Sequence, residues 1–151
     1  MSEVISYGRQ LTVLAEQHPE RTAIVFVRVD GSERQVSWQE LDRRSNQVAQ
    51  AMAARGVNDH SLVVVGLPNS PEHFFASYGA WKLGALVLPM RAVLPQRERD
   101  AMLELGGPAL VVADWEDVAF PLLTLAELDT TQNLAPVELP DRVPHPGKAI
   151  G

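Results

Sequence analysis

The segment Pro68–Pro89, PNSPEHFFASYGAWKLGALVLP, most constrains what this 151-residue chain can fold into. The run before it, SLVVVGLP, is short and nearly continuously β-branched, as in a strand buried on both faces. Ser70 suits a helix N-cap with Pro71 at the first helical position. Phe74, Phe75, Tyr78 and Trp81 form an apolar stripe on that helix, which predicts a place in the core. Gly84 closes the helix, and ALVLP makes the next buried strand. A second helix, Pro95–Leu105, turns Ala101, Met102 and Leu105 inward and ends at Gly106-Gly107-Pro108. ALVVAD is the third strand. This β-α-β-α-β order predicts an α/β fold with a parallel sheet and right-handed crossovers. A ligand belongs at the C-terminal ends of such strands, near Pro68–Ser70, Pro89–Leu94 and Asp114.

Upstream, Val4–Gln17 has helical spacing and is stopped by His18-Pro19. TAIVFVRV and SERQVS flank Asp30-Gly31, a two-residue hairpin signal with both turn positions at positive φ. Ser37-Trp38-Gln39-Glu40 fits a capping box. The helix after it places Trp38, Leu41, Ser45, Val48, Ala49 and Met52 on one face. Asp42, Arg43, Asn46, Gln47 and Gln50 fall mainly on the other. Gly56 suits a left-handed helix end. After Leu128 the chain carries prolines at 136, 140, 144 and 146 with little periodicity. Two regions are therefore expected: a subdomain over residues 1–130 and a proline-rich linker over 131–151.

Bulk properties narrow the function classes. A chain this long buries roughly 70% of its unfolded surface, enough for one core. Its net charge of −6 argues against a nucleic-acid or anionic-membrane partner. Without cysteine there is no disulfide, thiolate metal site or cysteine nucleophile. The N-terminus lacks the basic and apolar regions of a secretory signal. No apolar run approaches the ~20 residues of a membrane span, so a cytoplasmic protein is expected.

Candidate chemistry is sparse. Gly147-Lys148 resembles the end of a Walker loop, but Arg142 stands where an earlier glycine is needed and Ala149 where a hydroxyl is. The histidines, His18, His60, His73 and His145, show no metal-like spacing. His73 lies in a helix's first turn, where amides can hold an anion. Asp114, Glu116 and Asp117 follow the third strand and read as caps and solvated charge before they read as a Mg²⁺ site. Arg91 lies just beyond a strand's C-terminal end, where a phosphate fits, with Arg97 and Arg99 on the next helix.

Two segments carry a family resemblance. VSWQELDRRSNQVAQAMAARGV, through Trp38, Glu40, Leu41, Gly56 and Val57, resembles the early hallmark of the AMP-forming adenylating superfamily. That superfamily holds acyl- and aryl-CoA synthetases, peptide-synthetase adenylation domains and luciferases. LPNSPEHFFASYGAWKLGALVLPM resembles the next hallmark, with Asn69, Ser70, Glu72, Lys82, Gly84, Ala85 and Pro89 in order. The resemblance covers roughly residues 5–115. It implies the first part of the large N-terminal domain of an acid–CoA ligase, with ATP, Mg²⁺ and CoA as cofactors and a fatty or steroidal acid as substrate. The family's Ser/Thr/Gly-rich phosphate loop, ending in Gly-x-Pro-Lys, does not occur among these residues, so the chain alone is expected to be inactive and to bind none of these cofactors tightly. Family members often carry Asn-Pro-Arg after the Pro89 strand, the arginine meeting the CoA nucleotide. Val93 holds that position here, which leaves Arg91 as a displaced candidate for a CoA phosphate. The remainder of its own chain is the expected partner, with homodimerisation through exposed apolar surface. The alternatives are a peptide-synthetase-type adenylation domain and a non-catalytic binding or assembly module.

Overall fold

The computed structural model describes residues 5–137, 139–140 and 142. The chain opens with α1 (Tyr7–Gln17), capped by Ser6, whose hydroxyl accepts from the Arg9 amide. The hairpin β1 (Thr22–Val27) and β2 (Glu33–Ser37) follows, then α2 (Trp38–Ala53). A doubly wound unit comes next: β3 (Leu62–Val65), α3 (Pro71–Lys82), β4 (Leu86–Pro89), α4 (Gln96–Gly106) and β5 (Leu110–Val112). It closes with β6 (Leu122–Leu123) and α5 (Leu125–Thr130). The sheet order is β4-β3-β5-β6 and all its pairings are parallel, as the alternation of strand and helix predicts. The short β6 is an addition, since two residues carry no readable period. Among the described residues no helix is long and apolar enough to cross a membrane.

Both faces of the sheet are covered. Val63, Val65, Leu110, Val112 and Leu123 join the larger core with Leu11 of α1, Val48 and Met52 of α2, and Phe75 and Ala80 of α3. Val64 and Val111 face the other way, onto Leu103 of α4 and Met90. Burial on both sides explains why β3 reads as Leu-Val-Val-Val with no polar alternation.

Several local expectations change. The hairpin loop is Arg28–Ser32, not a two-residue turn, and only Gly31 has positive φ, at 82°. Asp30 instead accepts from the Ser32 amide and hydroxyl at 2.9 and 2.6 Å, a local turn that replaces the mirror-image one. Ser37 caps α2 through the Glu40 amide at 3.1 Å, but Glu40 turns toward Arg34, 4.0 Å away, so only half of the expected box forms. A full capping box occurs instead at Thr124 and Glu127 on α5.

The inward faces of three helices also differ. On α3 only Phe75 of the four aromatics is in the core. Phe74, Tyr78 and Trp81 repeat at i, i+4 and i+7 and share a different face, while Gly79 sits against α2. A Cβ there would lie 3.1 Å from Val48 Cγ1 and 3.2 Å from the Ala49 nitrogen. On α4 the buried residues are Arg99 and Leu103, and Leu105 is 92% exposed. On α2 the expected outer residues Asn46 and Gln47 are buried, because α1, α3 and the segment after α5 enclose the helix.

Candidate functional site at the C-terminal end of the sheet

The order β4-β3-β5 places the winding reversal between β3 and β5, where ligands of doubly wound folds sit. Here Trp115 fills that crevice. A Cβ on Gly66, just past β3, would fall 2.3 Å from the Trp115 ring, so only glycine admits the indole. The indole Nε1 donates to the Ala92 carbonyl at 2.7 Å, and the Arg99 guanidinium stands 5.5 Å from a Trp115 ring centroid. Arg99 also donates to the Asp117 carbonyl at 3.3 Å and pairs with Asp100 at 2.9 Å. Asp117 takes a φ of 54° to present that carbonyl. The loops after β3, β4 and β5 are thus laced together by one tryptophan and one arginine. This is also why Arg99 is buried on α4 while Met102 is not.

Arg91 is exposed in the loop past β4, with Val93 two residues on and 84% exposed. Arg97, in the first turn of α4, is exposed too, so Arg91 and Arg97 remain at the surface while Arg99 is spent on structure. Asp114 Oδ1 accepts from the Leu125 amide at 2.8 Å and so starts α5, the capping role anticipated for it. Among the described residues no group of three His, Asp or Glu is arranged to hold a metal. His145 and Gly147-Lys148 lie outside the described residues. The Trp115 ring occupies the space beside Gly66 in this crevice.

A second concavity runs beside β4. Asn69, His73, Ser77, Tyr78, Trp81 and Val87 line a groove of about 270 Å³. Tyr78 and Trp81 meet edge to face at 5.1 Å, and Tyr7 of α1 lies 5.1 Å from Trp81. Burial raises the pKa of the Tyr78 hydroxyl above the ordinary tyrosine value, with Tyr7 adding to the shift. The neutral hydroxyl is therefore the form the fold favours. Its contribution to stability is complete below the unfolded value near 10 and is lost as pH rises through the higher folded value. In a Tyr7→Phe variant Tyr78 is the one remaining tyrosine. Its ionisation, followed by absorbance near 295 nm, is expected to have a midpoint above pH 10. A midpoint at or below that value would contradict the burial.

The motif residues hold helices together. Lys82 Nζ donates to Asp42 Oδ1 at 2.6 Å and to Thr12 Oγ1 at 3.1 Å, and Thr12 donates to the same carboxylate at 3.0 Å, which ties α3, α2 and α1 into one junction. Glu72 receives Arg34 of the hairpin at 2.5 Å. Ser70 caps α3 through the His73 amide. Arg44 stands 5.4 Å from the Phe75 ring centroid and donates to Gln47, Thr131 and the Leu128 carbonyl. Burial lowers its pKa, and Asp129 opposes the shift. Gln47 and Gln50 donate to the carbonyls of Gln132, Leu134 and Ala135, fixing the start of the C-terminal segment on α2. The Lys82 junction and the Trp115 plug were not anticipated from sequence. The nearest signals were a lysine inside an otherwise apolar helix end and a tryptophan directly after a strand.

The family model for AMP-binding enzymes matches residues 11–147, and the chain belongs to that family. It is 33% identical over 139 residues to the crotonobetaine/carnitine–CoA ligase of Citrobacter koseri, covering 87% of this chain and 26% of the relative. The chain thus spans about a quarter of that relative's length. Its fold is similar to an artificially fused adenylation–PCP di-domain from Klebsiella oxytoca, with a TM-score of 0.81 and 16% identity over 94% of this chain and 27% of that one. It is also similar to a Mycobacterium tuberculosis fatty acyl CoA synthetase, with a TM-score of 0.75 and 22% identity over 89% and 29% of the two chains.

Proposed function

We propose that this chain is the opening part of an ATP-dependent, AMP-forming acid–CoA ligase acting on a fatty or steroidal carboxylic acid in the cytoplasm. The carrying observation is the 33% identity to a CoA ligase over a span that must include both motif segments. In this reading residues 1–130 are a scaffold subdomain, and 131–151 lead toward a phosphate-binding loop supplied by further sequence. In that reaction the acid's carboxylate would displace pyrophosphate from ATP to give an acyl-adenylate. The CoA thiol would then displace AMP to give the thioester, and bound Mg²⁺ would neutralise phosphate charge. What this chain contributes is position: the Lys82 junction and the Arg44 network hold α1, α2 and α3 fixed, and the Trp115 plug fixes the loop bearing Arg91. The 151 residues alone are proposed to be inactive and to associate as dimers through the face of Phe74, Tyr78 and Trp81.

The test is acid-dependent pyrophosphate release by the polypeptide containing this chain, followed by thioester analysis with CoA as acceptor. Arg91→Ala in that polypeptide is expected to raise the KM for CoA about tenfold, the loss of one charge-assisted contact, and to leave the KM for ATP unchanged. An unchanged KM for CoA would remove Arg91 from the site. The 34% identity to tyrocidine synthase 2 of Brevibacillus parabrevis over 66% of this chain favours a second reading, a peptide-synthetase-type adenylation domain. Transfer to a carrier-bound thiol with none to CoA would select it.

A further inference from the structure

Strand β4 is an edge of the sheet, and its free side opens on the groove lined by Tyr78, Trp81, Val87 and Pro89. The Leu86 and Met90 amides donate to the Ser61 and Val65 carbonyls at 3.0 and 2.9 Å, toward β3. Backbone groups alternate in direction along a strand, so those of Val87 and Pro89 point off the sheet. Among the described residues no strand lies there to meet the Val87 N–H, the Val87 carbonyl or the Pro89 carbonyl. The side chains of Val87 and Tyr78 both pack on the larger core, on the α3 side of the sheet.

The chain's own path leads to this edge. Leu139 packs on the larger core, and Leu139 and Pro140 stand beside Lys82 at the end of α3. A Cβ on Gly84 would lie 3.3 Å from the Arg142 Cβ, so the polypeptide has reached the start of β4 at residue 142. The next residues are Val143-Pro144-His145-Pro146-Gly147. Five extended residues span about 16 Å, enough to run the length of a four-residue strand. Prolines at 144 and 146 remove donors from one side of such a strand only. The amides of Val143, His145 and Gly147 stay available on the other, as an edge strand requires.

We propose that residues 143–147 add to β4 as a parallel edge strand, with Pro144 opposite Val87 and Pro146 opposite Pro89. In this register the Val87 N–H donates to the Val143 carbonyl. The His145 N–H donates to the Val87 carbonyl, and the Gly147 N–H to the Pro89 carbonyl. A shift by one residue in either direction sets a proline against the Val87 carbonyl and leaves it unserved. Opposed residues of paired strands share a face, so the Pro144 and Pro146 rings lie over Tyr78 and Trp81. Aromatic walls of this kind are where proline-rich segments dock. The docked segment covers the face through which dimers are proposed above, so it competes there with a second copy. The inference needs no part of the ligase reading.

The test is amide hydrogen exchange at Val87, followed by NMR in the full chain and in a His145→Pro variant, which removes the donor to the Val87 carbonyl. Exchange is expected to be at least about tenfold faster in the variant, as for an amide released from a ladder. Nuclear Overhauser contacts are expected from Pro144 and Pro146 to the Tyr78 and Trp81 rings, and within one chain when labelled and unlabelled chains are mixed. Equal Val87 exchange in the two proteins would overturn the proposal. So would ring contacts from His145 in place of the prolines, no ring contacts at all, or contacts only between chains.

Discussion

Replacing Lys82 with alanine is expected to lower the unfolding free energy by about 3–5 kcal/mol, the usual effect of breaking a buried ion pair. The lysine side chain is 6% exposed and that of Asp42 18%, so little solvent reaches the pair. Alanine leaves the Asp42 carboxylate at a three-helix junction with only Thr12 to satisfy it, and removes the lysine stem that fills the gap beside Gly8. The partial exposure of Asp42 places the expected loss toward the lower end of that range. Lys82→Met with Asp42→Leu removes both charges at similar volume and should recover most of the loss, since apolar packing often matches a buried pair. Urea unfolding of the two variants measures both quantities. A loss under about 1 kcal/mol for Lys82→Ala would make the contact an ordinary surface pair.

The second large effect is expected at Gly66. Alanine there places a methyl group 2.3 Å from the Trp115 ring, which cannot slide because Ala92 holds its nitrogen and Arg99 stands against it. Overpacking of this kind costs about 1–3 kcal/mol. The indole must leave the crevice, and the loops after β4 and β5 lose their common anchor. Once Trp115 is alanine, Gly66→Ala should cost little, so the two changes should be strongly non-additive. Additivity within about 0.5 kcal/mol in a double-mutant cycle would show that the ring does not occupy the crevice.

The helices and strands of the doubly wound unit were legible because each is specified locally. Ser70 and Pro71 start α3, Gly84 ends it, and the apolar runs of β3 and β5 have no other reading. What was not legible depends on partners distant in sequence. Arg99 is buried only because Trp115 is there to receive it, so the apolar pattern of α4 pointed to Met102 and Leu105, which are exposed. The aromatic stripe of α3 divides because Gly79 brings α2 close on one side and leaves Tyr78 and Trp81 on another. Glu40 had the spacing of a capping box, but Arg34 competes for its carboxylate.

The candidate site was legible to a smaller extent. Sequence placed Arg91, His73 and Asp114 around strand ends, and Asp114 does cap the following helix. It did not show that the crevice between those strands is filled. The motif residues Glu72 and Lys82 were recognised by family pattern, whereas their chemistry, a hairpin clamp and a helix junction, needed the packing.

The most direct test of the scaffold account is AMP formation from ATP and a panel of fatty and steroidal acids, run in parallel on this 151-residue chain and on the longer polypeptide proposed to contain it. The account predicts acid-dependent AMP and pyrophosphate from the longer polypeptide and none from the 151 residues. Turnover by the short chain itself, or ADP and phosphate from the longer one, would contradict it.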